Sequence, residues 1–259
     1  MLVPRLKGEI QRRLLVNYRV DPEWIARILP QPFRPQVVNG SAVAGICLIR
    51  LGSMRPAVLP GWVGLGSENA AHRVAVTWQT PDGPGHGVYI PRRDSNSLTN
   101  VLVGGRLFPG EHSLARFDVK EDDEQIAVAF SSRDHSASVD VRVQLTGDLN
   151  DSQLFADIES ASAFFESGSV GYSATHDPGR FDGLALETNA WRVEAAQVLQ
   201  AHSTFFDNEA TFPKGTAQLD NALVMRRIPV TWRPIPALAA KREDPRAAFR
   251  PPQSTGTAV

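Results

Sequence analysis

The chain is predicted to be a single α+β domain built on a mostly antiparallel sheet. Strand-like stretches outnumber helical ones along its 259 residues, and they do not alternate with helices in the regular way a parallel sheet requires. No internal repeat and no low-complexity linker divides it into halves. A chain of this length buries roughly three quarters of its unfolded surface, enough for a core without staples.

The first strand is expected over 13–20, where Leu15 and Val16 are apolar and Tyr18 is amphipathic. Asp21-Pro22-Glu23 then supplies an N-cap, a proline at the first helical position and an acidic first turn. That helix should present Trp24, Ile25, Ile28 and Leu29 on one face and stop near Pro30 and Pro32. Asn39-Gly40 predicts a hairpin turn into a strand over 41–51. The stretch 55–66, rich in proline and glycine, reads as a loop. A strand over 69–79, a turn over 81–85 and a short strand over 87–90 follow.

Asp94 or Ser95 is positioned to cap a second helix carrying Leu98, Val101 and Leu102 and ending at Gly104-Gly105. Strands at 113–119, 125–131 and 136–145 should form a meander. Asp151 is expected to cap a third helix, with Leu154, Phe155, Ile158, Phe164 and Phe165 facing the core and Gly168 closing it. Residues 183–201 read as two strands and 222–230 as one more. The domain is thus 1–239. Residues 240–259, charged and proline-rich, are expected to be a disordered tail.

The formal charge is −1, from 27 basic and 28 acidic side chains of interspersed sign, so nothing marks a nucleic-acid surface. Residues 1–13 lack a signal-peptide core, and no stretch approaches a membrane span. With one cysteine, Cys47, no intrachain disulfide can form. A soluble cytoplasmic protein is the expectation. Cys47 sits in the apolar run Ala42-Val43-Ala44-Gly45-Ile46-Cys47-Leu48-Ile49 and is expected to be an inert core thiol.

Generic catalytic signatures are missing. Gly83-Pro84-Gly85-His86-Gly87 is a hairpin rather than a dinucleotide loop, and there is no Walker sequence, nucleophile elbow or H-E-x-x-H. The six histidines are scattered. A metal site would have to be assembled from distant strands, and neither metal nor cofactor is expected.

Three local features stand out. Arg19 follows Tyr18 where a strand meets a helix; it can offer a fork to a carboxylate, or simply balance Asp21 or Glu23. Glu68, Ala70 and His72 share one strand face. If that face is interior, the alanine leaves room for a ligand; if exterior, both polar groups are solvated. Arg106, Glu111 and His112 follow a helix closed by two glycines and can also be ordinary loop residues.

Taken in order, these features resemble the acetoacetate decarboxylase-like superfamily. There, a strand ending Tyr-Arg-Thr-Asp leads to a helix and a Val-Pro-Glu-Pro turn, as Tyr18-Arg19-Val20-Asp21 leads here to Leu29-Pro30-Gln31-Pro32. A glycine-rich approach to a glutamate matches Gly64 to Glu68. A hairpin, a tyrosine-containing strand, a short helix and Gly-Arg before Pro-Lys-Lys match Tyr89, the helix after Asp94, Gly105-Arg106 and Pro109-Gly110-Glu111. The agreement spans about residues 10–145. Later segments, Phe205-Phe206-Asp207 and Ile228-Pro229-Val230-Thr231-Trp232, are similar to the uncharacterised DUF2071 branch.

The resemblance implies a strongly curved, barrel-like antiparallel sheet enclosing a pocket, with a few packed helices. It maps the family's active-site arginine onto Arg19 and one glutamate onto Glu68. A second glutamate has no counterpart in 42–51, and the two lysines fall on Gly110-Glu111 or near Ser113-Leu114. Four lysines exist in all, Lys7, Lys120, Lys214 and Lys241, and Lys120 and Lys214 lie in turn-like sequence. Schiff-base decarboxylation, which needs a desolvated amine, is therefore not expected.

Two functions remain open. The first is binding of a small organic acid or ketone, with Arg19 gripping the carboxylate, Glu68 and His72 fixing its orientation, and Tyr89 and Arg106 as further binding residues. The second is an acid–base lyase, hydratase or isomerase acting on a keto acid. Glu68 would be its base, His112 or Glu111 the partner acid, and Arg19 and Arg106 would stabilise an enolate-like charge. A homo-oligomer is expected from the family and from sheet edges that would need covering.

Overall fold

The computed structural model describes residues 5–98, 110 and 112–240. Its strands are β1 (Leu6–Val20), β2 (Arg34–Pro35), β3 (Val37–Val38), β4 (Ser41–Pro56), β5 (Leu65–Thr80), β6 (Gly83–Ser95), β7 (His112–Glu121), β8 (Gln125–Ser132), β9 (Ser138–Thr146), β10 (Val170–Ala174), β11 (Arg180–Glu187), β12 (Glu194–Ser203) and β13 (Ala217–Ala239). Two helices are fully contained in the described residues, α1 (Pro22–Ile28) and α2 (Ile158–Ser167). All thirteen strands belong to one sheet. Pairing is antiparallel except where β6 meets β7 and β10.

The sheet closes on itself twice. One ring runs β6-β7-β8-β9-β12-β13-β1-β4-β5 and returns to β6. The other runs β6-β10-β11-β13-β1-β4-β5 and also returns to β6. The wall they share, β13-β1-β4-β5-β6, is therefore covered on both faces, which explains the near-continuous apolar run of β4. On one face Leu14, Val16, Ala44, Ile46 and Val74 join Val128, Val141 and Val143 in the main core. On the other, Leu15, Val43, Cys47, Ala71 and Ala75 pack with Ala161 and Phe165 of α2. Ring closure leaves few free sheet edges among the described residues.

Most expected elements appear, longer than the local pattern suggests. Asn39 and Gly40 both take positive φ (47° and 79°), as the hairpin between β3 and β4 requires. In α1, Asp21 accepts from the N–H groups of Glu23 and Trp24, but only Ile25 is buried; Ile28 is 45% exposed. Residues 222–230 are the centre of a 23-residue strand, β13.

Two capping assignments change. Asp157, not Asp151, caps α2, through a capping box with Ser160, so Leu154 and Phe155 are buried ahead of the helix rather than within it. Asp94 lies in β6, where Arg92 grips it through two bonds of 2.9 and 2.8 Å. The rest of the helix expected after it, and the 241–259 part of the expected tail, lie outside the described residues. Among the described residues, no helix is long and apolar enough to cross a membrane.

Candidate functional site

Consecutive residues of a strand point to opposite faces, and the shared wall uses this on two arginine pairs. Arg12 and Arg92 point to the main-core side, where Arg12 meets Glu68 and Arg92 meets Asp94. Arg13 and Arg93 point to the other side and line a cavity of about 120 Å³ within the second ring. Arg73 of β5 lines it as well, with Cys47 of β4 and His112 of β7. Ile49, Ile90, Val170, Leu184 and Trp232 supply apolar wall.

The register brings the three guanidinium groups together. Cys47 lies opposite Ala71, which lies opposite Arg93; Arg13 is opposite Ile49, and Arg73 opposite Gly45. Small side chains at Cys47 and Ala71 leave space for the arginine heads between them. A Cβ at Gly45 would stand 2.3 Å from the Val16 carbonyl and 3.3 Å from Arg73 Nη2. Glycine is thus required for β1 and β4 to pair beneath Arg73.

The arginines bond to sulfur, hydroxyl and amide partners. Arg13 Nε donates to Cys47 Sγ at 3.4 Å and its Nη1 to Met225 Sδ at 3.7 Å. Arg93 Nε donates to Ser173 Oγ at 3.0 Å. Arg73 Nη2 donates to Asn17 Oδ1, and its guanidinium stacks 4.8 Å over Phe165 of α2. Arg73 Nε and Nη1 are buried without a hydrogen-bond partner. Among the described residues, no carboxylate pairs with any of the three. Burial pushes both Arg73 and Arg93 down to about 10, so both still carry their charge at neutral pH.

His112 opens β7 at the cavity rim. Its Nδ1 donates to the Gly110 carbonyl at 3.2 Å, which places the proton-accepting lone pair on Nε2. Burial, reinforced by the charge of Arg93, holds its pKa down at about 4, so the ring is neutral at pH 7.

The other sequence-predicted residues lie elsewhere. Glu68 and His72 do share a face with Ala70, and it is interior and packed into the main core, but neither Glu68 nor His72 lines the cavity. Glu68 is bound by Arg12 Nη2 at 2.6 Å and Arg50 Nε at 2.5 Å, in a cluster completed by Glu121. His72 is fully buried, with Nε2 3.3 Å from Ser203 Oγ, and burial beside Arg92 lowers it to about 3. Tyr89 packs between Phe33 and Phe181, with ring centres at 5.3 and 5.8 Å.

Arg19 bonds Gln218. It sits six residues along β1 from Arg13, roughly 20 Å away on the same side of the strand. Arg106 and Glu111 lie outside the described residues. Lys7, Lys120 and Lys214 are exposed and none lines the cavity; Lys241 is not described. No three metal-ligating side chains converge among the described residues.

A family model, DUF2071, described as an uncharacterized conserved protein, matches residues 7–228. No curated protein matches the sequence. Among solved structures, the chain is similar to an acetoacetate decarboxylase-like enzyme from Sphingomonas wittichii RW1, at a TM-score of 0.59 and 11% identity over 92% of this chain and 94% of that one. It is also similar to acetoacetate decarboxylase from Legionella pneumophila subsp. pneumophila str. Philadelphia 1, at 0.59 and 12% over 92% and 88%. A third is the enduracididine biosynthesis enzyme MppR complexed with pyruvate, at 0.51 and 13% over 90% and 91%. At such identities the likeness is one of fold, an acetoacetate decarboxylase-like curved sheet.

Proposed function

The chain belongs to the DUF2071 family of uncharacterized conserved proteins, and from the cavity it carries we propose that it binds a small organic acid or ketone without a Schiff base. One observation supports this above the rest: three guanidinium groups line one cavity, and the described carboxylate that also lines it, Asp94, is bound by Arg92 and not by them. Burying a charge without a counter-charge is costly, whereas an anion bound there offsets that cost. Arginine is suited to it because its planar fork matches a carboxylate. The volume is a little below that of a cavity that accepts benzene, so the ligand has about half a dozen heavy atoms. A structural neighbour crystallised with pyruvate fits the same class.

Carboxylate recognition thus moves from Arg19 to Arg13, Arg73 and Arg93. The described lysines are all exposed, so amine catalysis is not part of the proposal. A second function, acid–base chemistry on a keto acid, draws on His112. Neutral, with Nδ1 tethered to Gly110, it presents a base beside Arg93, which would stabilise an enolate-like charge.

Thermal-shift titration with pyruvate, acetoacetate and short hydroxy acids tests the first function. Stabilisation that is lost in Arg93→Gln is expected; no shift with any acid refutes it. Turnover abolished in His112→Gln with the acid-induced shift intact would establish the second.

A further inference from the structure

The sulfur of Cys47 faces the cavity that the arginines line. Cys47 is 7% exposed and lines the cavity. Arg13 Nε reaches its Sγ at 3.4 Å, and the sulfur also interacts electrostatically with Arg73 and Arg93. Independently of the thiol, Arg73 marks the place as a ligand site. It is 2% exposed and lines the cavity with two guanidinium nitrogens unbonded. A carboxylate drawn to these arginines is thereby brought against the only thiol in the chain.

We infer that Cys47 is a nucleophile that captures the ketone carbon of a small keto acid held by Arg13, Arg73 and Arg93. The inference rests on the acid-binding function proposed above and adds a covalent step to it. Sulfur attacks the carbonyl carbon, an S–C bond forms, and the C=O π pair moves to oxygen. The thiol proton ends on that oxygen, giving a thiohemiketal. No oxidant or co-reactant is consumed, and loss of the adduct returns both partners unchanged. The guanidinium groups stabilise the negative charge that develops on the carbonyl oxygen.

Alkylation of the full-length protein, followed by intact mass, tests the reactivity. Iodoacetate is expected to label Cys47 about tenfold or more faster than neutral iodoacetamide, the low end of what a convergent positive field adds to an association rate. Pyruvate should protect, and Arg93→Gln should erase the preference. NMR of pyruvate labelled at its ketone carbon should show a tetrahedral carbon on binding that is missing with Cys47→Ser.

Equal or faster labelling by iodoacetamide, labelling only after unfolding, or pyruvate that binds with its ketone intact would overturn the inference. If pyruvate still stabilises the protein in those cases, acid binding stands and only the covalent step fails. If pyruvate neither stabilises nor protects, acid binding itself fails and the inference falls with it.

Discussion

Arg73→Met is expected to stabilise the unliganded protein while abolishing its response to pyruvate. Burial brings the Arg73 guanidinium down to about 10, from an ordinary value of roughly 12.5. That difference corresponds to about 3 kcal/mol against the charged form, at about 1.4 kcal/mol per pH unit. Folded and unfolded states are both protonated below pH 10, so this cost is fully present at neutral pH and is relieved only as the pH rises through 10. Methionine removes it at similar volume.

The substitution also has losses. Asn17 Oδ1 gives up the donor from Arg73, at about 1 kcal/mol or somewhat more. The stack on Phe165 is largely kept, because a thioether against an aromatic ring is of similar strength, about 0.3–1.5 kcal/mol. The net is about 1–2 kcal/mol in favour of the variant, or about 3–6 °C in Tm for a domain near this size.

With ligand, the order reverses. Wild type should gain about 2.7 kcal/mol at a ligand concentration one hundred times its Kd, whereas the variant should gain little. Differential scanning calorimetry with and without pyruvate measures both arms. A variant destabilised by 2 kcal/mol or more, or one that responds to pyruvate like wild type, would refute the assignment of Arg73 to an anion site.

Two other expectations concern groups other than the three arginines. Glu68→Gln leaves the buried Arg12 without its closest carboxylate and should cost about 3–5 kcal/mol in urea unfolding, while the pyruvate-induced shift at low temperature persists. A lost shift with the fold intact would return Glu68 to the binding site. His112 and His72 are held at about 4 and about 3 in the folded protein, below an unfolded value of roughly 6.5. The unfolded chain therefore binds more protons, and stability falls with acidification below about pH 6.5, by about 3 kcal/mol per pH unit near pH 5 for the two together. His72→Gln should remove about half of that slope; an unchanged slope would mean His72 does not titrate this way.

The alternation that identified strands in the sequence was sound, because period two survives in a wall covered on both faces. What it cannot supply is which face encloses a cavity. Glu68 and His72 share a side, as their spacing requires, but Arg13, Arg73 and Arg93 take the opposite one. A signal for the latter was present: an arginine inside an apolar alternating strand, as in Ala71-His72-Arg73-Val74-Ala75, has no solvent face to occupy. The paired arginines 12–13 and 92–93 carried the same message, since one member of each must point away from its acidic partner. The convergence of Cys47 with Arg93 depends on register between strands more than forty residues apart, set only once β4, β5 and β6 pair. Asp157, unlike the expected Asp151, has Ser160 in position to complete a capping box.

The double closure also governs when the molecule can come into being. Both rings run through β13, which pairs with β1 across more than 200 residues, Leu14 with Val224 among them. On a ribosome, then, neither barrel can shut until nearly the whole described chain has emerged. Until that moment β1, β4 and β5 offer open apolar borders, and contacts of such long range close slowly. The arginine-lined cavity is accordingly a late property of the nascent chain, assembled in the same event that seals the fold, and a chain cut short before β13 would have neither.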